Sequence, residues 1–278
     1  CGDIDTFKEI AYAIKNHPNE YDQYVKNAMK QGLRYPDACN QALSLLLNKS
    51  IQTPNDLLGL GYVKEVINHD YPICLHCIQR SNDYHDTTLT KIASATALRK
   101  ALKEKQDVHD YLLDMSYYDH LYDQSNFFDY LKYQIIIQDI HHLKKIHLVD
   151  EGIENLLKKV IFDTNSYEEL VNSLTSKRYT KTRIQRMLLH ILMNNTKDEI
   201  KNCFPIDYIL VLKMNQKGQK YLKTIKKTCS YHIITNLSSY KHPALDLEIK
   251  SSKLLSLIDH QMIKKEFQNI PVIELSKR

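Results

Sequence analysis

The stretch Ile92-Ala93-Ser94-Ala95-Thr96-Ala97-Leu98-Arg99-Lys100 decides how the fold of this chain is interpreted. Small and hydroxyl-bearing residues open a helical segment, and an arginine follows one turn later. Backbone N–H groups at a helix start can bind an anion, and hydroxyl and guanidinium groups also favour one. The stretch therefore predicts a phosphate-binding helix start, although Ser and Thr are also ordinary N-cap residues.

The residues before this stretch predict a helix, a strand and a loop. Thr53-Pro54-Asn55-Asp56 is a helix start, with Thr53 as N-cap and Pro54 at the first helical position. Residues 71–79 have the pattern of a strand, and residues 80–90 that of a polar loop. This order is typical of an α/β nucleotide-binding domain, in which ligands bind where strands end.

Five polar residues of this half form a candidate nucleotide-binding site. They are Asn55, Arg80, Ser94, Thr96 and Arg99. The Asn55 amide could contact an adenine or ribose edge, Arg80 ends the predicted strand, and Arg99 is placed to neutralise phosphate charge. Each residue also has an ordinary structural interpretation. Asn55 can be a capping amide and Arg80 a solvated strand end. Ser94 and Thr96 can be helix N-caps, and Arg99 can form a surface ion pair.

The composition indicates a helix-rich α/β protein of two domains. The 278 residues include only 6 Gly and 7 Pro, which argues against a loop-rich all-β fold. The apolar spacing predicts helices at 3–16, 18–31 and 35–48. We expect residues 1–105 to be the C-terminal part of a Rossmann-like nucleotide-binding domain. Residues 106–278 are expected to form an α-rich RNA-binding domain with a small α/β piece.

The second half shows its clearest pattern at residues 180–195, which predict an amphipathic helix. A short buried strand is predicted at 208–213, a lysine-rich helix at 216–227, another strand at 231–235 and another helix at 244–260.

A basic segment, Lys177 to Arg186, opens the helix at 180–195. Five of its ten residues are basic and a tyrosine lies among them. We expect Arg183, Arg186 and His190 on one outer face, and Thr182 with Gln185 as a capping box. Such a helix start suits a sugar-phosphate backbone, and the alternative is a solvated basic face. The candidate residues for binding such a backbone are Lys177, Arg178, Lys181, Arg183 and Arg186.

A second basic run lies on the predicted helix at 216–227. Tyr221, Leu222 and Ile225 are expected to form its inner face. Because lysine-rich solvent faces are common, this run gives modest support to RNA binding. Its lysines are Lys217, Lys220, Lys223, Lys226 and Lys227.

No metal site is predicted. Cys74 and Cys77 have the spacing of a metal or redox pair, but positions three apart on a strand face opposite sides, and no second pair completes a zinc site. His141, His142 and His147 lack zinc spacing. The chain contains no nucleophile–histidine signature and no Walker-type glycine-rich loop.

The net charge of +5 is a mild basic excess, which becomes informative only if the positive charge is clustered. The sequence contains no signal peptide and no apolar run of 18 residues, and it has six cysteines. We therefore expect reduced thiols, a cytoplasmic location and no membrane partner.

Several segments together resemble the bacterial tRNA(Met) cytidine acetate ligase family, a nucleotidyltransferase-like branch of the class I adenylylating superfamily. They occur in the family's order and span most of the chain. The matching segments are Gly2-Asp3-Ile4, Thr53 to Gly59, Tyr84-His85-Asp86, Ile92 to Leu102, Glu151 to Lys159 and Lys177 to Arg186.

The resemblance implies a Rossmann-type nucleotide domain followed by an RNA-binding region. Members activate acetate with ATP, with Mg²⁺ expected, as acetyl-adenylate, and then acetylate N4 of the wobble cytidine of elongator tRNA(Met). The family's ATP-contacting Asn and Arg match Asn55 and Arg80, and its Ser/Thr–Arg helix start matches Ser94, Thr96 and Arg99. Neither the acetate-binding nor the cytidine-selecting residues follow from the resemblance.

This sequence departs from the family pattern at its beginning. The resemblance implies an N-terminal strand, a His-x-x-His-like ATP motif and a glycine, none of which occurs here. We therefore expect that about the first quarter of the family's length precedes Cys1, that catalytic histidines lie there, and that this chain alone can be inactive. A non-enzymic tRNA-binding fragment and a cofactor-forming nucleotidyltransferase remain alternatives.

Overall fold

The computed structural model describes residues 3–51, 53–78, 87–111, 122–176, 179–261, 263–264 and 272–274. The chain divides into two compact units, residues 1–121 and residues 122–278. The described residues are mainly helical, with short parallel strand pairs in the second unit. The helix-rich α/β class expected from the sequence is confirmed.

The first unit is a group of helices. They are α1 (Ile4–Asn16), α2 (Pro18–Lys30), α3 (Tyr35–Leu47), α4 (Pro54–Asn68) and α5 (Ala95–Lys103), followed by a 3₁₀ turn at His109–Tyr111. The three helices predicted before residue 50 are confirmed. The predicted cap of α4 is also confirmed, since the Thr53 side chain accepts from the Asp56 N–H at 3.2 Å.

Apolar residues of α1–α4 form the core of the first unit. Helix α1 packs on α4, and α2 packs on α3. The Lys15 ammonium donates to the Ile67 carbonyl at 2.6 Å and lies 3.1 Å from an Asp70 oxygen, which ties the ends of α1 and α4 together. The largest buried side chains here include Phe7, Ile10, Leu43, Leu60 and Val63.

The strand predicted at residues 71–79 is wrong for the part that the structure describes. Residues 71–78 have no regular secondary structure. Ile73 and Ile78 are exposed, and no described strand pairs with this segment. The apolar pattern alone could not supply the ladder partner that a strand needs.

The second unit contains the larger helical core. Its elements are α6 (Phe128–Ile137), α7 (Ile140–Lys145), α8 (Ile153–Val160), α9 (Tyr167–Leu174), α10 (Lys181–Leu192) and α11 (Lys197–Asn202), with a 3₁₀ turn at Gln124–Phe127. Helix α10 packs on α6 and α9, and α8 packs on α6, α7 and α9. The fully buried side chains at the centre include Leu131, Ile135, Leu157, Leu170, Ile184 and Met187.

A small α/β piece follows this core. It comprises β1 (Tyr208–Leu210), β2 (Lys213–Asn215), α12 (Gln216–Ile225), β3 (His232–Ile234), α13 (Pro243–Leu255) and β4 (Val272–Glu274). Strand β1 pairs in parallel with β3, and β2 pairs in parallel with β4. The predicted strand at 208–213 is neither continuous nor fully buried, because residues of β1 are half-buried or exposed and Val211 and Leu212 separate β1 from β2.

Candidate functional site

The start of α5 presents a hydroxyl and a cation to solvent. Ser94 is the N-cap, and its buried side chain accepts from the Ala97 N–H at 3.0 Å. Thr96 and Arg99 are exposed and stand three residues apart, so they share one side of the helix. Ser94 therefore shapes the helix start, whereas Thr96 and Arg99 are available to an anion.

The start of α4 presents Asn55. Its side chain is exposed in the first helical turn, directly after the Thr53 cap, while Asp56 is buried. Arg80 and the triplet Tyr84-His85-Asp86 lie outside the described residues. The described members of the candidate ATP set thus sit at the starts of two helices of the first unit.

The N-cap of α10 lies two residues before Thr182, the position expected from the capping box. Thr180 is the N-cap and its hydroxyl accepts from the Arg183 N–H at 3.4 Å. Thr182 lies inside the first turn, so the predicted Thr182–Gln185 capping box is wrong. Lys181 and Arg186 are exposed, and Arg183 is half-buried. Lys177 and Arg178 fall outside the described part of the chain.

Tyr179 anchors the start of α10. Its ring is buried, and the Arg183 guanidinium lies 4.8 Å from the ring centroid. Its hydroxyl donates to the Asp150 carbonyl, or to a Glu151 carboxylate oxygen, both at 2.9 Å. The cation–π contact restricts Arg183, and the hydroxyl joins the basic segment to the start of α8.

An open cleft of about 410 Å³ lies at this junction, between the end of α7 and the starts of α8 and α11. The Lys197 ammonium donates to the Val149 carbonyl at 2.9 Å and to an Asp150 oxygen at 2.7 Å. Lys144 lies 3.5 Å from Glu154, whose side chain is only 2% exposed. The cleft therefore carries both signs of charge, held by partners within the second unit.

His190 follows Arg186 by one turn of α10 but is less exposed than Arg186. It is half-buried, and its ring meets the edge of His147 with 4.7 Å between centroids. Burial lowers the pKa of His190 to about 4, with further lowering by His147 and Arg186. Burial also lowers the pKa of His147. The expected outer position of His190 is thus only partly met, because its ring packs against His147.

Helix α12 has a different character from α10. None of its residues is buried, and its lysines are exposed. Leu222 and Ile225 are half-buried, as expected of an inner face, but Tyr221 is 63% exposed. The prediction that Tyr221 belongs to the inner face is wrong.

Cys74 and Cys77 are exposed thiols on the irregular segment after α4. Within the residues that the structure describes, no group of three or more His, Cys, Asp or Glu side chains is placed to hold a metal ion. In the same residues, no helix is both long and apolar enough to cross a membrane.

The sequence interpretation missed the contribution of Lys144, Glu151, Glu154 and Lys197 to the cleft beside α10. The segment from Glu151 to Lys159 matches the family in sequence, but its residue types alone predict no binding or catalytic function. Its Glu-Gly-Ile-Glu pattern was the available signal, since Glu151 and Gly152 adopt positive φ values of 60° and 87°. Lys144 and Lys197 are too far away in sequence for spacing to link them to it.

The family model described as HIGH Nucleotidyl Transferase matches residues 1–269. Curated proteins named tRNA(Met) cytidine acetate ligase are similar over nearly the whole chain. The protein from Bacillus subtilis is 33% identical, over 96% of this chain and 70% of its own length. The Geobacillus sp. protein is 34% identical, over 98% of this chain and 74% of its own.

Two solved structures of Thermotoga maritima TmcAL resemble this chain. The apo form has a TM-score of 0.80 and 25% identity, and the alignment covers 98% of this chain and 74% of that one. The form bound with alpha-thio ATP has a TM-score of 0.76 and 23% identity with the same coverage, and it supports the fold alone.

Proposed function

We propose that this chain, which belongs to the tRNA(Met) cytidine acetate ligase family of HIGH nucleotidyl transferases, uses ATP to ligate acetate to N4 of the wobble cytidine of elongator tRNA(Met). The observation that carries the proposal is the extent of the similarity. It covers 96–98% of the chain and so includes both the start of α5 and the start of α10.

The first unit would bind and activate ATP. Thr96, Arg99 and the N–H groups at the start of α5 form an anion-favouring set, and the exposed Asn55 amide can donate to and accept from a nucleoside. When acetate attacks the α-phosphorus, an acetyl-adenylate forms and pyrophosphate leaves. Arg99, together with Arg80 and Ser94, would stabilise the charge that develops on the phosphate oxygens.

Mg²⁺ would supply further neutralisation of the phosphates. The described residues offer no carboxylate cluster for it. The ion would therefore be held chiefly by the nucleotide's own oxygens, as Mg²⁺ often is in phosphoryl-transfer sites.

The second unit would hold the tRNA through the start of α10. Lys181 and Arg186 are exposed, and the stacking of Arg183 on Tyr179 fixes the direction of a third cation. Lys177 and Arg178 extend the set in sequence. An ordered guanidinium loses less conformational entropy when it binds a phosphate, so this surface suits a defined RNA backbone rather than any polyanion.

The test is acetate transfer to elongator tRNA(Met) by the intact protein, with ATP consumption followed separately from tRNA binding. Arg80→Ala, Asn55→Ala and Arg99→Ala are expected to raise the KM for ATP or lower kcat while the Kd for tRNA stays unchanged. Lys100→Ala is the matched control, because Lys100 is the next cation on α5 and lies 3.9 Å from a Glu104 carboxylate oxygen.

The outcomes separate the proposed ligase from its alternatives. Unchanged ATP kinetics in all three variants would remove the assignment of the ATP site. Equal affinity for elongator and unrelated tRNA, with no acetate transfer, would favour a tRNA-binding module. Turnover of a small nucleotide acceptor that tRNA does not inhibit would favour a cofactor-forming nucleotidyltransferase.

A further inference from the structure

The positive charge of this chain is concentrated in one segment, residues 208–245. This segment contains seven lysines and no Asp or Glu. Seven of the chain's 38 basic residues therefore lie here and none of its 33 acidic ones, so the rest of the chain carries a net charge of −2. The net charge of +5 does not indicate that so many positive charges lie in one segment without a negative one.

The structure turns five of these lysines into one exposed surface, which we call the α12 lysine face: Lys217, Lys220 and Lys223 on α12, with Lys226 and Lys227 directly after it. The i, i+3, i+6 spacing keeps the first three on one side of the helix. None of the five forms an ion pair or a side-chain hydrogen bond with a described residue.

Some lysines elsewhere in the chain are neutralised by carboxylates. The ammonium groups of Lys15, Lys144 and Lys197 each lie within 3.5 Å of a carboxylate oxygen. Since the α12 lysine face has no such partners among the described residues, its charges remain available to an external anion. Keeping like charges together without compensation is unfavourable by itself, so a polyanionic partner would be stabilised there.

An exposed aromatic residue, Tyr221, stands one turn after Lys217 on the same helix. Tyr221 is 63% exposed although it belongs to a helix whose other face packs on β2. Exposed aromatic rings next to lysines suit nucleic acid, because bases stack on the ring while ammonium groups approach the phosphates. A protein partner would instead favour charges of both signs around an apolar centre, and none of the residues of α12 is buried.

We propose that the α12 lysine face, with Tyr221, is a second RNA-binding surface that contacts the phosphodiester backbone of the tRNA apart from the start of α10. The inference rests on the proposed tRNA substrate and extends it. The flexible lysines would increase the affinity and the association rate independently of RNA sequence. The start of α10 would instead fix the position of the tRNA backbone on the protein.

The test is a salt series of tRNA binding with two triple variants of the full chain. Lys217→Gln/Lys220→Gln/Lys223→Gln alters the α12 lysine face. Lys26→Gln/Lys30→Gln/Lys159→Gln is the control, because these lysines are also exposed, helical and without a recorded ion pair. Both variants lower the net charge equally, and glutamine keeps a helix propensity close to that of lysine.

The α12 variant is expected to lose affinity by about tenfold or more at low salt, and its slope of log K against log salt should flatten by about two. The loss should be the same for elongator and unrelated tRNA. The control variant should keep the slope of the unaltered protein. Tyr221→Ala should weaken binding further without changing the salt slope.

An α12 variant that binds tRNA with unaltered affinity and slope would overturn the inference, and so would an equal loss in the control. So would an unaltered tRNA affinity combined with lost binding to polyglutamate, since that result would identify an acidic protein as the partner. These failures leave the proposed function standing as long as acetate transfer to tRNA(Met) persists. Absence of both tRNA binding and transfer in the unaltered protein would instead remove the proposed function.

Discussion

Helices α10 and α12 are both rich in basic residues, but they use them differently. Helix α10 buries Ile184, Met187 and Leu188 in the core of the second unit, and its Arg183 stacks on a buried tyrosine. Helix α12 buries no residue, and its lysines project without partners among the described residues. The packing beneath a basic helix, rather than its charge, therefore determines whether its cationic side chains have a defined geometry.

The largest expected difference between α10 and α12 is in how much each helix contributes to the free energy of unfolding. Ile184→Ala removes a fully buried side chain and should lower the free energy of unfolding of the second unit by about 2–5 kcal/mol. Leu222→Ala, on the half-buried face of α12, should cost less than about 1 kcal/mol because less apolar area is lost. Urea denaturation followed by circular dichroism measures both. Equal losses would contradict the view that α10 is supported by the core and α12 is not.

The next contrast concerns discrimination between RNAs. Lys181→Gln/Arg183→Gln/Arg186→Gln should weaken binding of elongator tRNA(Met) by about 30-fold and also reduce its preference over an unrelated tRNA, because ordered phosphate contacts set register. The triple variant of the α12 lysine face should weaken both tRNAs alike. Filter binding at several salt concentrations separates the two behaviours. A preserved preference in the α10 variant would mean that α10 supplies only bulk charge.

The Tyr179→Phe substitution tests whether the Tyr179 hydroxyl anchors the start of α10. The ring stays, but the hydroxyl that meets Asp150 and Glu151 is lost, at a cost of about 1–2 kcal/mol of stability. Tyr221→Phe is the control, since the Tyr221 hydroxyl has no recorded partner among the described residues and its loss should be neutral. A similar effect of both substitutions in thermal denaturation would argue against the anchoring role.

The smallest expected effect is a dependence of stability on pH. The folded pKa of His190, about 4, lies below the ordinary value of 6.5, so the unfolded chain binds more protons between these values. Stability should therefore be complete above pH 6.5 and fall as the pH decreases toward 4. The loss is smaller than full linkage gives, because the ring is only half-buried. In His190→Gln the slope of unfolding free energy against pH between 4.5 and 6.5 should decrease, and an unchanged slope would reject His190 as its source.

Local patterns predicted much of the secondary structure. The helices before residue 50 and the cap at Thr53 depend on contacts within a few residues, and the structure reproduces them. The apolar stripe of α10 is equally local, since it repeats along one helix. One failure has a longer range, because residues 71–78 have no strand partner among the described residues. The other failure is local, because the cap of α10 is Thr180 rather than Thr182.

The candidate site divides in the same way. The sequence alone selected Asn55, Ser94, Thr96 and Arg99, and the resemblance to a ligase family rests on residue types that need no tertiary contact to be recognised. Tertiary structure decided that Ser94 caps its helix from a buried position while Thr96 and Arg99 face solvent. It also decided that Tyr179 meets Glu151 and that His190 is half-buried against His147. Helix periodicity and capping are set by neighbours in the chain, whereas exposure and ion pairing depend on which distant segments pack together, and that is fixed only when the core forms.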